Sequence, residues 1–218
     1  MSNDLGREYG IEKVAPADIE KESMATIKRE LSRELPADEA PVTMRVIHTT
    51  ADFEFADLMY YSKDAIERAK EAIKNGCKIV TDTNMAAAGI SKRTAERFGC
   101  KVECYMADED VAKKAKEEGC TRARICMDKG AEFGENVIYA IGNAPTALVR
   151  LREMIDDGYK PACIIGVPVG FVNVVRSKEL IMETDVPCII AKGRKGGSTI
   201  AACIVNALLY ELDHTRGM

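Results

Sequence analysis

Histidine is scarce in this chain: 218 residues contain two, His48 and His214. Imidazole is the side chain that ordinarily changes charge near neutral pH, so acid–base chemistry in that range has few places to start. His214 stands close to the C-terminus, where chains are commonly loosely held. His48 is the one inside the expected folded part, in Arg45-Val46-Ile47-His48-Thr49-Thr50-Ala51-Asp52-Phe53. A lone histidine among apolar neighbours is more often a structural residue than a catalyst, and the local sequence alone favours that role for His48.

An excess of one charge is missing too. The 31 basic and 35 acidic residues leave a net charge of −4, and no basic stripe interleaved with aromatics is present, which argues against a nucleic-acid partner. Long apolar runs are absent: the longest, Ala162 to Val175, is broken by Gly, Pro and Asn and falls short of the roughly 20 residues a membrane helix needs. The first residues, Met1-Ser2-Asn3-Asp4-Leu5-Gly6-Arg7-Glu8, hold no apolar core of a secretory signal. No membrane partner is expected, and a soluble cytoplasmic protein is. Cysteine is plentiful, with eight residues, but no pair has the two-residue gap of a zinc knuckle. Cys163, Cys188 and Cys203 stand within apolar runs, where cysteine acts as a small hydrophobe, and free thiols suit a reducing cytosol. No protein-held metal is expected.

What is present suggests one domain over residues 1–218, with a helical N-terminal part to about residue 75 and an alternating core over 76–210. In residues 17–31, Ile19, Ser23, Ile27 and Leu31 recur at helical spacing. Residues 62–73 open on Ser62 as a cap and repeat Ile66, Ala69 and Ile73 on one face. The His48 segment between them reads two ways. Its β-branched residues suit a strand, whereas Pro41 in a first turn and the Val42, Val46, Thr49 spacing suit a helix. From residue 76, β-rich runs at 78–82, 101–106, 136–141, 162–167 and 188–191 alternate with helix-like stretches at 108–117, 144–157, 177–183 and 198–209. Such alternation implies right-handed crossovers. The fold class expected is α/β, a three-layer α/β/α arrangement with a five-stranded parallel sheet, residues 53–61 and the N-terminal helices being additions to it.

In open sheets of this kind, ligands bind beyond the carboxyl ends of the strands. Four expected exits there are Thr81-Asp82-Thr83-Asn84-Met85, Gly142-Asn143-Ala144-Pro145-Thr146-Ala147, Gly166-Val167-Pro168-Val169-Gly170-Phe171-Val172 and Lys192-Gly193-Arg194-Lys195-Gly196-Gly197-Ser198. Three carry glycines leading into a helix, which brings backbone amides and a helix N-terminus against an anion. The last adds three positive charges. It resembles a phosphate cradle loosely, but it lacks the Gly-Lys-Ser/Thr ending and follows the last strand, not the first. From spacing alone, the chain is an α/β protein with an anionic ligand.

These segments, taken in order with Arg45-Val46-Ile47-His48 and Thr121-Arg122, resemble the precorrin-8X methylmutases, also called precorrin isomerases or cobalt-precorrin-8 methylmutases. The resemblance runs from about Ile19 to Leu209. It implies a late step of corrin-ring assembly in cobalamin biosynthesis, in which a methyl group moves from ring carbon C11 to C12 and yields hydrogenobyrinate or its cobalt form, cobyrinate. The resemblance implies His48 as general acid toward a ring nitrogen, with Thr49 or Thr50 orienting it. It implies substrate contacts at Ser23, Thr49, Asp82, Asn84 and Met85. Further contacts are implied at Arg122, Asn143, Ala144, Val169 and Gly170, and on the last loop at Arg194, Gly196 and Gly197. A second arginine, Arg124, leaves open which of Arg122 and Arg124 meets the substrate.

An intramolecular methyl shift needs no redox cofactor, methyl donor or protein-held metal, so no cofactor is expected and any cobalt arrives in the substrate. The partners implied are a corrinoid substrate and a second copy of the chain in a homodimer. Two readings compete with the enzyme: a non-catalytic tetrapyrrole carrier or product-retaining protein of the same pathway, and a phosphate-binding α/β enzyme built on the Arg194 loop.

Overall fold

A computed structural model describes residues 9–11, 14–16 and 18–213; His214 lies outside them. The chain divides into two compact units, Met1–Glu34 and Leu35–Met218. In the first, α1 (Ile19–Glu30) has Glu20 and Glu22 in its first turn and Lys28 and Arg29 in its last. That arrangement complements the helix dipole at both ends.

The second unit is built on a six-stranded sheet of order β1-β6-β5-β4-β2-β3. Along the chain, α2 (Ala40–Thr50) and the single turn α3 (Phe55–Leu58) precede β1 (Met59–Tyr61) and α4 (Ala65–Lys74). Then come β2 (Lys78–Thr81), α5 (Asn84–Gly89), α6 (Lys92–Arg97), β3 (Lys101–Glu103), α7 (Glu109–Glu117) and α8 (Arg122–Ala131). The chain ends with β4 (Val137–Ile141), α9 (Pro145–Asp156), β5 (Cys163–Gly166), α10 (Val174–Met182), β6 (Cys188–Ala191) and α11 (Ser198–Leu212).

The five β-rich runs form the parallel part, paired β3–β2–β4–β5–β6 in matching register. Every residue of β4, β5 and β6 is buried, as strands covered on both faces must be. On one face Val80, Tyr139, Ile141, Ile164 and Ile190 join a core with Ile125, Leu148 and Leu151 of α8 and α9. On the other, α11 packs against β4 and β5 and against α2, α4 and α5.

The expected count of five strands is corrected to six. Met59–Tyr61 pairs antiparallel with β6 in the register Met59↔Ala191. Three residues cannot display an alternating pattern long enough to read, and this edge is selected by its partner. The pairing continues into Ser62, which donates its amide to Cys188 O (2.9 Å) and accepts the Cys188 amide on Oγ (2.8 Å). Ser62 therefore does not cap α4, whose N-cap is Asp64 in the left-handed region at φ 58°.

The abundant cysteines have packing roles. Cys77, Cys100 and Cys120 each follow a helix-ending glycine and donate the amide to the carbonyl five residues back: Ala72, Ala95 and Ala115. That bond is the signature of a Schellman turn, in which the residue after the glycine makes an apolar contact with the helix. Cys77 and Cys100 are fully buried side by side, their sulfurs 3.6 Å apart.

Gly142, where β4 ends, lies against the start of α11. A Cβ there would stand 2.5 Å from Ser198 Cα and 2.7 Å from Ser198 N, backbone atoms that cannot swing aside. Gly142→Ala is expected to destabilise the fold by about 3 kcal/mol, lowering Tm by roughly 10 °C. Thermal denaturation checks this, and an unchanged Tm would show that the two segments separate at little cost.

Candidate active site

The carboxyl edge of the sheet is a set of loops that hold one another. Asp82, one residue beyond β2, is fully buried. Its Oδ1 accepts the Gly142 amide (2.8 Å), and its Oδ2 accepts those of Asn143 (2.8 Å) and Ala144 (2.6 Å). Burial raises the carboxyl pKa, and the three amides pull it back by favouring the charged form. Next to it, Thr83 caps α5 by accepting the Ala86 amide (3.1 Å), and its hydroxyl meets the Ser198 hydroxyl at 2.8 Å. The β2 exit thereby fixes both the β4 exit and the start of α11.

The β6–α11 loop, residues 192–197, is fixed from three sides. Gly197 donates to Val167 O (2.8 Å), and Gly170 donates to Arg194 O (3.2 Å). Gly196 lies so close to the β5 exit that a Cβ would fall 2.1 Å from Val167 O, so only glycine fits. From below, the buried Lys178 of α10 donates to Gly193 O (2.8 Å) and Lys195 O (2.9 Å).

The third tie brings in His48. Its segment is helical: α2 carries Pro41 in its first turn, buries Val42, Thr43, Val46 and Ile47, and ends at Ala51 in the left-handed region at φ 53°. His48 occupies the last turn and is exposed. Thr49 Oγ1 donates to Arg45 O (2.9 Å) and lies 3.1 Å from Cys203 Sγ of α11, while Thr50 Oγ1 donates to Val46 O (2.9 Å). Among the described residues neither threonine bonds the imidazole, so the expected orienting hydroxyl is not found there. Four residues beyond His48, Asp52 pairs with Lys195 Nζ at 2.5 Å, and Glu54 joins it at 2.8 Å. Lys195 holds the Asp52 carboxyl below its usual pKa. This ion pair fastens the chain that follows His48 to the glycine loop, although solvent screens exposed pairs of this kind.

The remaining expected contacts fall into three groups. Asn84, Met85, Asn143, Val169 and Arg194 are exposed at the strand exits, and Ala144, Gly170, Gly196 and Gly197 are part-exposed beside them. Arg122 is also exposed, with one long contact to Met106 O (3.4 Å). It follows Thr121, whose hydroxyl meets that of Thr146 (2.8 Å) in the first turn of α9. Arg124, by contrast, is held by Glu153 at 2.7 Å, which raises the guanidinium pKa and lowers that of the carboxyl. Ser23 belongs to the N-terminal unit, where its hydroxyl donates to Ile19 O (2.8 Å).

Asp82 and the amides of Asn143 and Ala144 bond to one another, an arrangement that expectation had assigned to substrate. Lys178, the Lys195–Asp52 pair and the exposed apolar surface of Phe171 (82% exposed) and Val172 join the site without belonging to the expected set. The Arg194 guanidinium lies over the Phe171 ring, 5.4 Å from its centre. One signal for Lys178 was readable. Val174, Ser177, Lys178 and Ile181 form the buried face of α10, so the lysine stands at an inward position.

A cavity of about 860 Å³ opens at the opposite, amino edge of the sheet, between Arg68, Asn136, Arg152, Lys160 and Asp185. Helices α4, α9 and α10 end there and present carbonyls, so that edge lacks the amide donors of the carboxyl edge. Among the described residues, no group of three or more His, Cys, Asp or Glu side chains could hold a metal ion.

Residues 18–211 match the family model described as precorrin-8X methylmutase. The chain is similar to the cobalt-precorrin-8 methylmutase of Salmonella typhimurium, at 46% identity over 81% of this chain and 83% of that one. It is similar to the precorrin-8X methylmutase of Pseudomonas aeruginosa, at 38% identity over 89% and 95%. The crystal structure of precorrin-8X methylmutase from Thermus thermophilus superposes with a TM-score of 0.82 at 37% identity, covering 88% of this chain and 96% of that one.

Asp82→Ala is expected to leave three amides without their acceptor and to destabilise the protein by about 2–4 kcal/mol, with faster hydrogen exchange at Gly142, Asn143 and Ala144. Unchanged stability and exchange would mean that the carboxylate is not part of the frame.

Proposed function

The chain belongs to the precorrin-8X methylmutase family, isomerases of cobalamin biosynthesis, and from that premise we propose that it moves a methyl group from C11 to C12 of precorrin-8 or cobalt-precorrin-8. The observation that carries the reading is His48: an exposed imidazole on a helix whose continuation is tied by Asp52 and Lys195 to the glycine loop. In the proposed step, His48 donates a proton to a ring nitrogen as the C11–CH3 bond breaks and the C12–CH3 bond forms. Isomerisation consumes no proton overall, so the imidazole recovers it afterwards. A positioned proton donor contributes roughly a hundred- to ten-thousand-fold to such a step.

The other residues serve binding. Arg122 and Arg194 are the proposed partners of the substrate's acetate and propionate arms through charge-assisted hydrogen bonds; Arg122 takes this role over Arg124 because Glu153 already engages the latter. Met85, Val169 and Phe171 offer apolar surface to the macrocycle. Asn84, Asn143, Ala144, Gly170, Gly196 and Gly197 border the same space, Thr49 flanks the imidazole, and Ser23 remains a proposed contact from the N-terminal unit. Asp82 acts as a positioning residue, holding the β4 exit in place. Cobalt, where present, is part of the substrate. No described helix is long and apolar enough to cross a membrane; a cytoplasmic homodimer is the proposed working state, and sedimentation showing a dimer at micromolar concentration would support it, whereas monomer alone would count against it.

The test is to incubate the pure protein with precorrin-8 and with cobalt-precorrin-8 and to follow the absorption change. Conversion of one identifies the natural substrate, and conversion of neither rejects the activity. His48→Ala is expected to lower kcat by about a hundredfold or more while product affinity stays within a few-fold. Wild type that binds hydrogenobyrinate but converts neither substrate would favour the carrier.

A further inference from the structure

Lys178 is 1% exposed, which is unusual for an ammonium. It shares the buried face of α10 with Val174, Ser177 and Ile181. Its Nζ donates to Gly193 O and Lys195 O, and among the described residues no carboxylate pairs with it. The charged groups of the elements around it are engaged elsewhere. On the loop, Lys195 is held by Asp52 and Glu54, Arg194 lies over Phe171, and Lys192 lies over Tyr60. On α10 and α9, Arg176 and Arg152 both face Glu183. A buried cation is costly unless an opposite charge offsets it; two carbonyl dipoles do so in part.

The hydrogen bonds of Lys178 also set the direction of two peptide units. In a trans peptide the C=O and the following N–H point opposite ways, and every described peptide bond is trans. With Gly193 O and Lys195 O turned toward the ammonium, the amides of Arg194 and Gly196 point away from it. Neither donates to an acceptor among the described residues. Two donors of fixed direction thus belong to the loop that carries the exposed Arg194 side chain, and the buried Lys178 ammonium stands on the side they face away from.

The geometry points to Lys178 as a positioning residue that holds the Arg194 and Gly196 amides for one carboxylate arm of the substrate and supplies positive charge behind them. This rests on the corrinoid reading proposed above and adds a carboxylate subsite to it. Burial lowers the Lys178 pKa to about 8. The positive charge is therefore complete below that pH and is lost as pH rises through it, while the substrate's carboxylates stay ionised throughout. Affinity falls in the same interval.

The test is a spectral titration with hydrogenobyrinate from about pH 6.5 to 9.5, together with kcat and KM on the converted substrate, for wild type, Lys178→Met and Lys178→Arg. For wild type, Kd is expected to rise roughly tenfold across pH 8. Lys178→Met is expected to show a roughly tenfold higher KM at pH 7, no rise in Kd near pH 8, and kcat within about twofold of wild type. Lys178→Arg keeps its charge across the range, so low Kd without the rise near pH 8 is expected. Comparison with that variant isolates the contribution of the lysine to the profile. Wild-type KM and pH profile in Lys178→Met would overturn the proposal. So would parallel losses of kcat, KM and Tm in both variants, which a purely structural role produces. Wild type that binds no corrinoid at all overturns the methylmutase reading itself, a result distinct from failure of the lysine variants alone.

Discussion

The Asp82 carboxylate and the three amides it accepts set the spacing on which the rest of the site depends. A buried carboxylate must be satisfied by donors at fixed distance and direction, and here those donors are consecutive amides of the β4 exit. Fixing that turn places Gly142 against Ser198, and Ser198 in turn meets Thr83 of the β2 exit. Gly196 and Gly197 then pack on Val167 of the β5 exit. The four exits behave as one object because each contact uses backbone atoms or short side chains that cannot relax independently.

Onto that frame the structure adds chemistry from elements that are remote in sequence. His48 comes from a helix preceding the parallel sheet, yet the Asp52–Lys195 pair ties its continuation to the loop after the last strand. The apolar surface of Phe171 and Val172 lies on the β5 exit, the exposed Arg194 on the β6–α11 loop itself, and the exposed Arg122 at the start of α8. Exposed apolar surface with Arg194 lying over Phe171 suits the flat macrocycle with carboxylate arms proposed as substrate, and an exposed imidazole suits the proposed proton delivery. In the proposed methyl shift, the protein's part would be to hold the ring and move a proton.

Much of this was legible beforehand, and the parts that were not share a cause. The five parallel strands were readable because strands buried on both faces must be continuously apolar, as Cys163–Gly166 and Cys188–Ala191 are. The exits were readable because glycines cluster where backbones approach. The sixth strand was not, since Met59–Tyr61 is a strand only by virtue of pairing with β6. Ser62 looked like a helix cap, but its hydroxyl is captured by Cys188 from across the sheet. Arg122 and Arg124 are alike in sequence, and only the position of Glu153 on another helix separates them.

By itself the sequence determined the α/β class, the parallel core, the family and the set of strand-exit residues, because these follow from local periodicity and from motifs in order. Tertiary structure alone decided that the His48 segment is helical, that Asp82 faces the protein's own amides, and that Lys178 lies beneath the glycine loop without an ionic partner among the described residues. The physical reason is that a polar side chain acquires its role from the groups brought within hydrogen-bonding distance. Here those groups lie 15 residues away for Lys178 and Gly193, about 60 for Asp82 and the β4 exit, and 143 for Asp52 and Lys195.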